Sequence, residues 1–142
     1  MRVFPLDRRF TASGEALAKV SGQSLARWLV LEMVQDDPAT VSDIARRLGL
    51  TRQAVQRLAD LLVADGLAVY EDNPRHRRAK LARIAPNGLT TLRRIQEAQR
   101  EWADRLGAEL GREELERASA TLDRVLDVVT RELPSLREGS RS

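Results

Sequence analysis

Cysteine is absent from this chain, which excludes disulfide staples, thiolate nucleophiles and any switch worked by thiol oxidation. Histidine occurs once, as His76 in an arginine-rich stretch, so there is no second imidazole with which to build a metal site or a nucleophile–base pair. No glycine-rich loop follows an apolar strand, and a phosphate cradle is therefore missing too. Glu113, Glu114 and Glu116 crowd one short segment, but acids at the start of a helix are explained by the macrodipole. These absences predict a protein that is not an enzyme and needs no cofactor or metal. No stretch approaches the roughly 18 apolar residues of a membrane span, and MRVFPLDRRF lacks the apolar run of a signal peptide. A cytoplasmic protein with no membrane partner is expected. Lysine is nearly missing: 22 of the 24 basic residues are arginine, which suits bidentate contacts, although genome composition is the simpler cause.

What is present suffices for one domain over 1–142, because 42% apolar residues at this length supply a core without a staple. The formal net charge is only +3, so its distribution decides more than its size. Residues 1–39 carry five basic and five acidic side chains, 40–87 nine and five, and 88–142 ten and eleven, giving balances of 0, +4 and −1. Positive charge is concentrated in the middle of the chain, on a segment suited to a polyanion.

That segment begins TVSDIARRLGLTRQAVQRLADLLVADGL. Thr40 and Asp43 have the form of a capping box, opening a helix that buries Val41, Ile44 and Leu48, with Ala45 small enough for a close helix crossing. Gly49 supplies the left-handed backbone of a short turn, and Thr51 caps the next helix. In this second helix Val55, Leu58, Leu61 and Leu62 are expected to face inward. Thr51, Arg52, Gln53, Gln56 and Arg57 are left pointing outward, side chains that bond base edges or phosphates, with Gln56 able to pair bidentately with adenine. Ser42 joins them at the start of the first helix. From Ile44 to Leu58 there are four arginines and no acid. An amphipathic pair with a solvated face is the plainer alternative.

Gly66 ends the second helix, LAVYED alternates as a strand, and Asn73-Pro74 turns the chain. Arg75, His76, Arg77, Arg78 and Lys80 follow, before a return strand KLARIAP and a helix opened by Pro86 and Asn87. Nothing at this hairpin tip is apolar, so packing does not explain it. A phosphate backbone or a narrow minor groove does.

The order helix, helix-turn-helix TVSDIARRLGLTRQAVQRLADLLVADGL, wing NPRHRRAKLARIAPNG and long helix resembles the MarR family of winged-helix transcriptional regulators. The resemblance implies a mainly α fold with a small β-hairpin wing: a winged helix-turn-helix core at 25–87, long terminal dimerisation helices at 8–24 and 88–134, and a flexible tail at 135–142. It implies a homodimer on a pseudo-palindromic site in double-stranded DNA, usually as a repressor and often released by a small ligand, here an aromatic or phenolic one. Arg52, Gln53, Gln56 and Arg57 fall on the DNA-reading helix, and Arg75, Arg77 and Arg78 on the wing. One departure is His76, at a place where the family often has an acid that directs the wing arginines.

Two apolar stripes follow the wing. Leu92, Ile95, Trp102 and Leu106 lie along one helix, and Leu115, Ala118, Leu122, Val125, Leu126, Val129 and Leu133 along another, the second spaced like the seam of two packed helices. They exceed what a small winged helix can bury, which points to a second copy of the chain. The amino-terminal segment, anchored by Phe10, Leu17 and Val20, is expected to join that interface. Leu25, Trp28, Leu29, Leu31 and Val34 read as a buried helix beneath the DNA module. In the family a ligand pocket often lies between dimer helices and DNA module, which would make Trp28 and Trp102 its walls; a core role is the plainer reading of each. The remaining alternative is a winged-helix architectural or protein-interaction module with weak, non-specific DNA binding, against which the amide-bearing helix face argues.

Overall fold

Three helices of the central module start at a hydroxyl that accepts an otherwise unpaired first-turn amide. Ser24 accepts from Arg27, Thr40 from Asp43 and Thr51 from Ala54, at 3.1–3.3 Å. The computed structural model describes residues 3–76 and 78–139, with the side chains of 133–139 excepted. Arg77 and the Leu133 side chain, both singled out from the sequence, lie outside the described residues. The elements run α1 (Val3–Lys19), α2 (Leu25–Met33), β1 (Ala39–Thr40), α3 (Val41–Leu48), α4 (Arg52–Ala64), β2 (Ala68–Glu71), β3 (Leu81–Ile84), α5 (Pro86–Leu110) and α6 (Arg112–Gly139). They divide into two compact units, 1–99 and 100–142.

In the first unit α3 and α4 form the helix-turn-helix. Gly49 closes α3 with a φ of 65°, a conformation open to glycine without steric cost. The core gathers Val30 and Leu31 of α2, Val34 just past its end, Ile44 of α3, Val55, Ala59 and Leu62 of α4, and Leu92 and Ile95 of α5. Full burial of each large aliphatic side chain contributes roughly 1.5–3 kcal/mol. Arg27 of α2 pairs with Asp65 at the end of α4, and Gln96 of α5 donates to Gln35 just past α2 at 2.9 Å, so polar ties reinforce the apolar packing. Gly88 lets α5 pass directly over the Leu67 carbonyl: a β-carbon there would stand 2.0 Å from that oxygen.

Two sequence expectations need correction, and one gains an addition. Leu61 is not inward but 47% exposed, and Ala59 takes the buried place. The stripe centred on Val55, Leu58, Ala59 and Leu62 leaves Leu61 about 110° around the helix. The expected wing hairpin is β2 and β3, and it carries a third strand. The short β1 pairs antiparallel with β3, Ala39 opposite Ala82 and Thr40 opposite Leu81, giving the sheet order β1-β3-β2. Finally, α6 does not end at Pro134 but keeps helical backbone to Gly139, where a tail had been expected. The proline removes one N–H, and the carbonyl it strands, at exposed Thr130, is open to water.

The second unit comprises the end of α5 and α6. Leu115 packs back toward Gly107 there, its Cδ1 lying 3.9 Å from where a β-carbon on that glycine would stand. Leu122, Val125, Leu126 and Val129 stay exposed along α6.

Candidate nucleic-acid interface

The capping of α3 and α4 aims their first turns to one side of the module, and the wing folds beside them. Thr40 is held twice, accepting from the Asp43 amide at 3.1 Å and donating its hydroxyl to Asp43 Oδ2 at 2.7 Å. Arg46 donates to the other oxygen of Asp43. Asp43 therefore keeps its charge: the Thr40 hydroxyl bond and then Arg46 hold its carboxyl below the usual range.

The expected DNA-facing residues divide among three surfaces. Arg52, Gln53, Gln56 and Arg57 line a concavity along the outer face of α4, together with Asp60, Leu61 and Ala64. Ser42, Arg52, Gln56, Arg78 and Lys80 meet in a cleft of about 290 Å³ between the two helices and the wing, whose other walls include Thr40 and Tyr70. Arg75 and His76 instead face a second cleft of about 590 Å³, across from Arg46 and Arg47. Of the described wing arginines, Arg75 and Arg78 thus line different clefts. Among the described residues Arg52, Arg57, Arg75 and Arg78 make no ion pair, so their charge is available to a partner.

Asn73 shapes the tip that carries His76. It is 8% exposed, its side-chain oxygen accepts from the Arg75 amide at 2.9 Å, and its carbonyl accepts from the His76 amide. Such an Asx turn needs no charged partner. Behind the tip, Arg83 of β3 donates Nε and Nη2 to both carboxylate oxygens of Glu71 on β2, at 2.7 and 3.1 Å. This fork draws Glu71 below the usual carboxylate range and raises Arg83.

Gln56 departs from the expectation of a free amide. It is half-buried, and its Nε2 donates to Asp60 Oδ1 and to the Tyr70 hydroxyl, both at 2.9 Å. Asp60 and Tyr70 thereby fix the direction in which the Gln56 amide is turned. Asp60 and Tyr70 were not anticipated as site residues. Asp60 was within reach of the sequence, sitting four residues beyond Gln56 on one helix face; Tyr70 arrives only through the tertiary fold.

Of the expected dimer residues, Phe10 is 51% exposed and Leu122, Leu126 and Val129 are 55%, 64% and 51% exposed. Trp102, Leu106 and Leu115 are half-buried within their own chain. Leu17 is partly buried and packs against the core of the first unit. Trp28 is a core residue at 4% exposure. Among the described residues there is no cluster that could hold a metal ion, and no helix is long and apolar enough to cross a membrane.

Comparison with known proteins adds to this geometry. Residues 21–79 match the model of a family described as the MarR family. An uncharacterised protein of Mycobacterium tuberculosis is 45% identical over 95 residues, which are 67% of this chain and 66% of that protein. The HTH-type transcriptional repressor IacR of Pseudomonas putida is 27% identical over 129 residues, 90% of this chain and 75% of IacR. Among solved structures, the transcriptional repressor CouR bound to a 23-mer DNA duplex superimposes with a TM-score of 0.79 at 23% identity, covering 87% of this chain and 89% of CouR.

Proposed function

This chain belongs to the MarR family, and on that premise we propose that it is a homodimeric, sequence-specific transcriptional regulator, a repressor that leaves its operator when a small aromatic or phenolic ligand binds. The observation that carries this reading is the outer face of α4, where unpaired Arg52 and Arg57 flank Gln53 and adjoin a cleft holding Ser42, Arg78 and Lys80. An architectural protein needs charge but has no use for amides on the same surface.

In this reading α4 enters the major groove. Arg52, Gln53 and Arg57 meet base edges or phosphates, and the hydroxyls of Ser42 and Thr51 bond phosphate oxygens. Arg78 and Lys80 follow the backbone or the adjoining minor groove from the wing. Two copies of α4 then have to fit grooves one turn apart, roughly 34 Å. A ligand that alters their separation releases the DNA. The description of IacR as a repressor supports the sign of regulation.

Enrichment of genomic fragments on the purified protein tests the reading. A shared inverted repeat among bound fragments, with affinity that falls steeply as salt displaces the counterion advantage, is the expected result. Fragments with no common motif would turn the assignment to an architectural module. Thermal-shift screening of aromatic and phenolic metabolites tests the ligand, with a rise in melting temperature expected for the right class.

A further inference from the structure

Arg46 and Arg47 of α3 share a cleft of about 590 Å³ with Arg75 and His76 of the wing tip, and the base-reading face of α4 uses none of the four. All four residues are exposed, so core packing does not account for them. Among the described residues Arg47 and Arg75 make no ion pair. The His76 ring adds an N–H donor even when neutral. Asp43 is the one acid among the residues that line this cleft, and its charge is already met from within the chain. The Thr40 hydroxyl donates to one of its oxygens at 2.7 Å and Arg46 to the other at 2.6 Å. Two guanidinium charges, one from α3 and one from the wing, are therefore left in one concavity without a counterion, which favours an anion there.

A polyanion is already at hand next to this surface. Thr40, the cap of α3, borders both this cleft and the smaller one that holds Ser42, Arg52, Arg78 and Lys80, so the two adjoin. A duplex carries one phosphate charge per roughly 1.7 Å of its axis, and a backbone held in the smaller cleft continues past it. We propose that the cleft shared by Arg47 and Arg75 is a second phosphate clamp, which takes the DNA backbone beyond the stretch held by Arg78 and Lys80. Arg47 bonds phosphate oxygens from α3 and Arg75 from the wing, since a guanidinium fork matches a phosphate bidentately. Arg46 acts through Asp43, whose carboxylate it keeps from repelling the backbone. The clamp reads no bases, because phosphates carry no sequence; it adds affinity and seats the wing. This inference rests on the DNA-binding reading and extends it to α3 residues that the major-groove contact does not need.

Ethylation interference on an operator recovered by selection tests the proposal, with the full chain as wild type, Arg47→Ala, Arg75→Ala and Arg78→Ala. An ethylated phosphate loses its charge, so each phosphate that the protein needs is marked by weaker binding. Arg47→Ala and Arg75→Ala should become insensitive to the same phosphates, and Arg78→Ala to different ones. Each of the first two should also flatten the dependence of log affinity on log salt by about one unit, and select the same base motif as wild type from randomised duplexes. A merely structural Arg47 would leave the set of marked phosphates unchanged, as would a cleft kept for a small anion or an acidic protein, and that result overturns the proposal. So does the loss of one set of phosphates in Arg47→Ala and of another in Arg75→Ala, because the two would then share no clamp. In both cases a wild type that still selects a motif leaves the regulator reading standing. A wild type that marks no phosphate and selects no motif removes that reading and this inference together.

Discussion

Gly88 and Asp43 show what single positions control in this fold. A methyl group at Gly88 would meet the Leu67 carbonyl at 2.0 Å and Ile84 Cγ1 at 2.9 Å. The carbonyl is backbone, and it already accepts from the Ala85 amide, so it has little freedom to move. Gly88→Ala should cost about 1–3 kcal/mol as an overpacking change, read as a lower midpoint in urea; an unchanged midpoint would show that the β2 entry yields. Asp43 acts through charge. Its folded pKa is lowered by Thr40 and then Arg46, so the unfolded chain binds a proton more readily. The stabilisation is complete above the ordinary carboxylate range and is lost as the pH falls through the lowered folded value. Asp43→Asn should therefore be less stable than wild type at neutral pH, with the gap closing in acid. A gap independent of pH would mean that the ion is not what matters.

At the scale of elements, α4 separates what periodicity can convey from what it cannot. Its hydroxyl cap at Thr51, its length and the burial of Val55 and Leu62 were all legible, because capping and helical spacing are local. Leu58, Leu61, Leu62 and Val63 crowd two turns, however, and such a run admits more than one stripe. The choice was made by Ala59, small enough to lie against neighbouring helices, and it turned Leu61 out beside Gln53 and Arg57. Leu62→Ala should accordingly cost about 2–5 kcal/mol by leaving a cavity, whereas Leu61→Ala should stay within about 0.5 kcal/mol. Equal losses by chemical denaturation would return Leu61 to the core. The same limit explains β1, whose two residues have no period to read and are strand only because β3 lies alongside. It also explains Gln56: the i+4 acid is visible in the sequence, but the hydroxyl fourteen residues away depends on how the wing docks.

For the whole molecule the open matter is what covers α6. Spacing marks an apolar stripe along it, but spacing cannot tell burial by the same chain from burial by another. Leu17 and Leu115 are partly buried against their own chain. Leu122, Val125, Leu126 and Val129 are left more than half exposed on successive turns, a contiguous apolar strip of the kind that monomeric proteins seldom present to water. Their spacing of three, one and three residues is that of a helix seam. A second copy of α6 offers the same strip in return, and two-fold pairing satisfies both at once. Leu126 is the most exposed of the four at 64%, so a charge there is harmless to a lone chain yet costly within a seam. Leu126→Asp should therefore sediment as a monomer with its helical circular dichroism retained, or as a dimer that dissociates on dilution where the wild type does not. It should also lose affinity for a two-half-site duplex while keeping the weak binding of one winged helix to a half-site. A variant that remains a tight dimer would move the interface away from this strip, leaving the exposed α1 side chains Phe4, Leu6 and Phe10 as the next surface to alter.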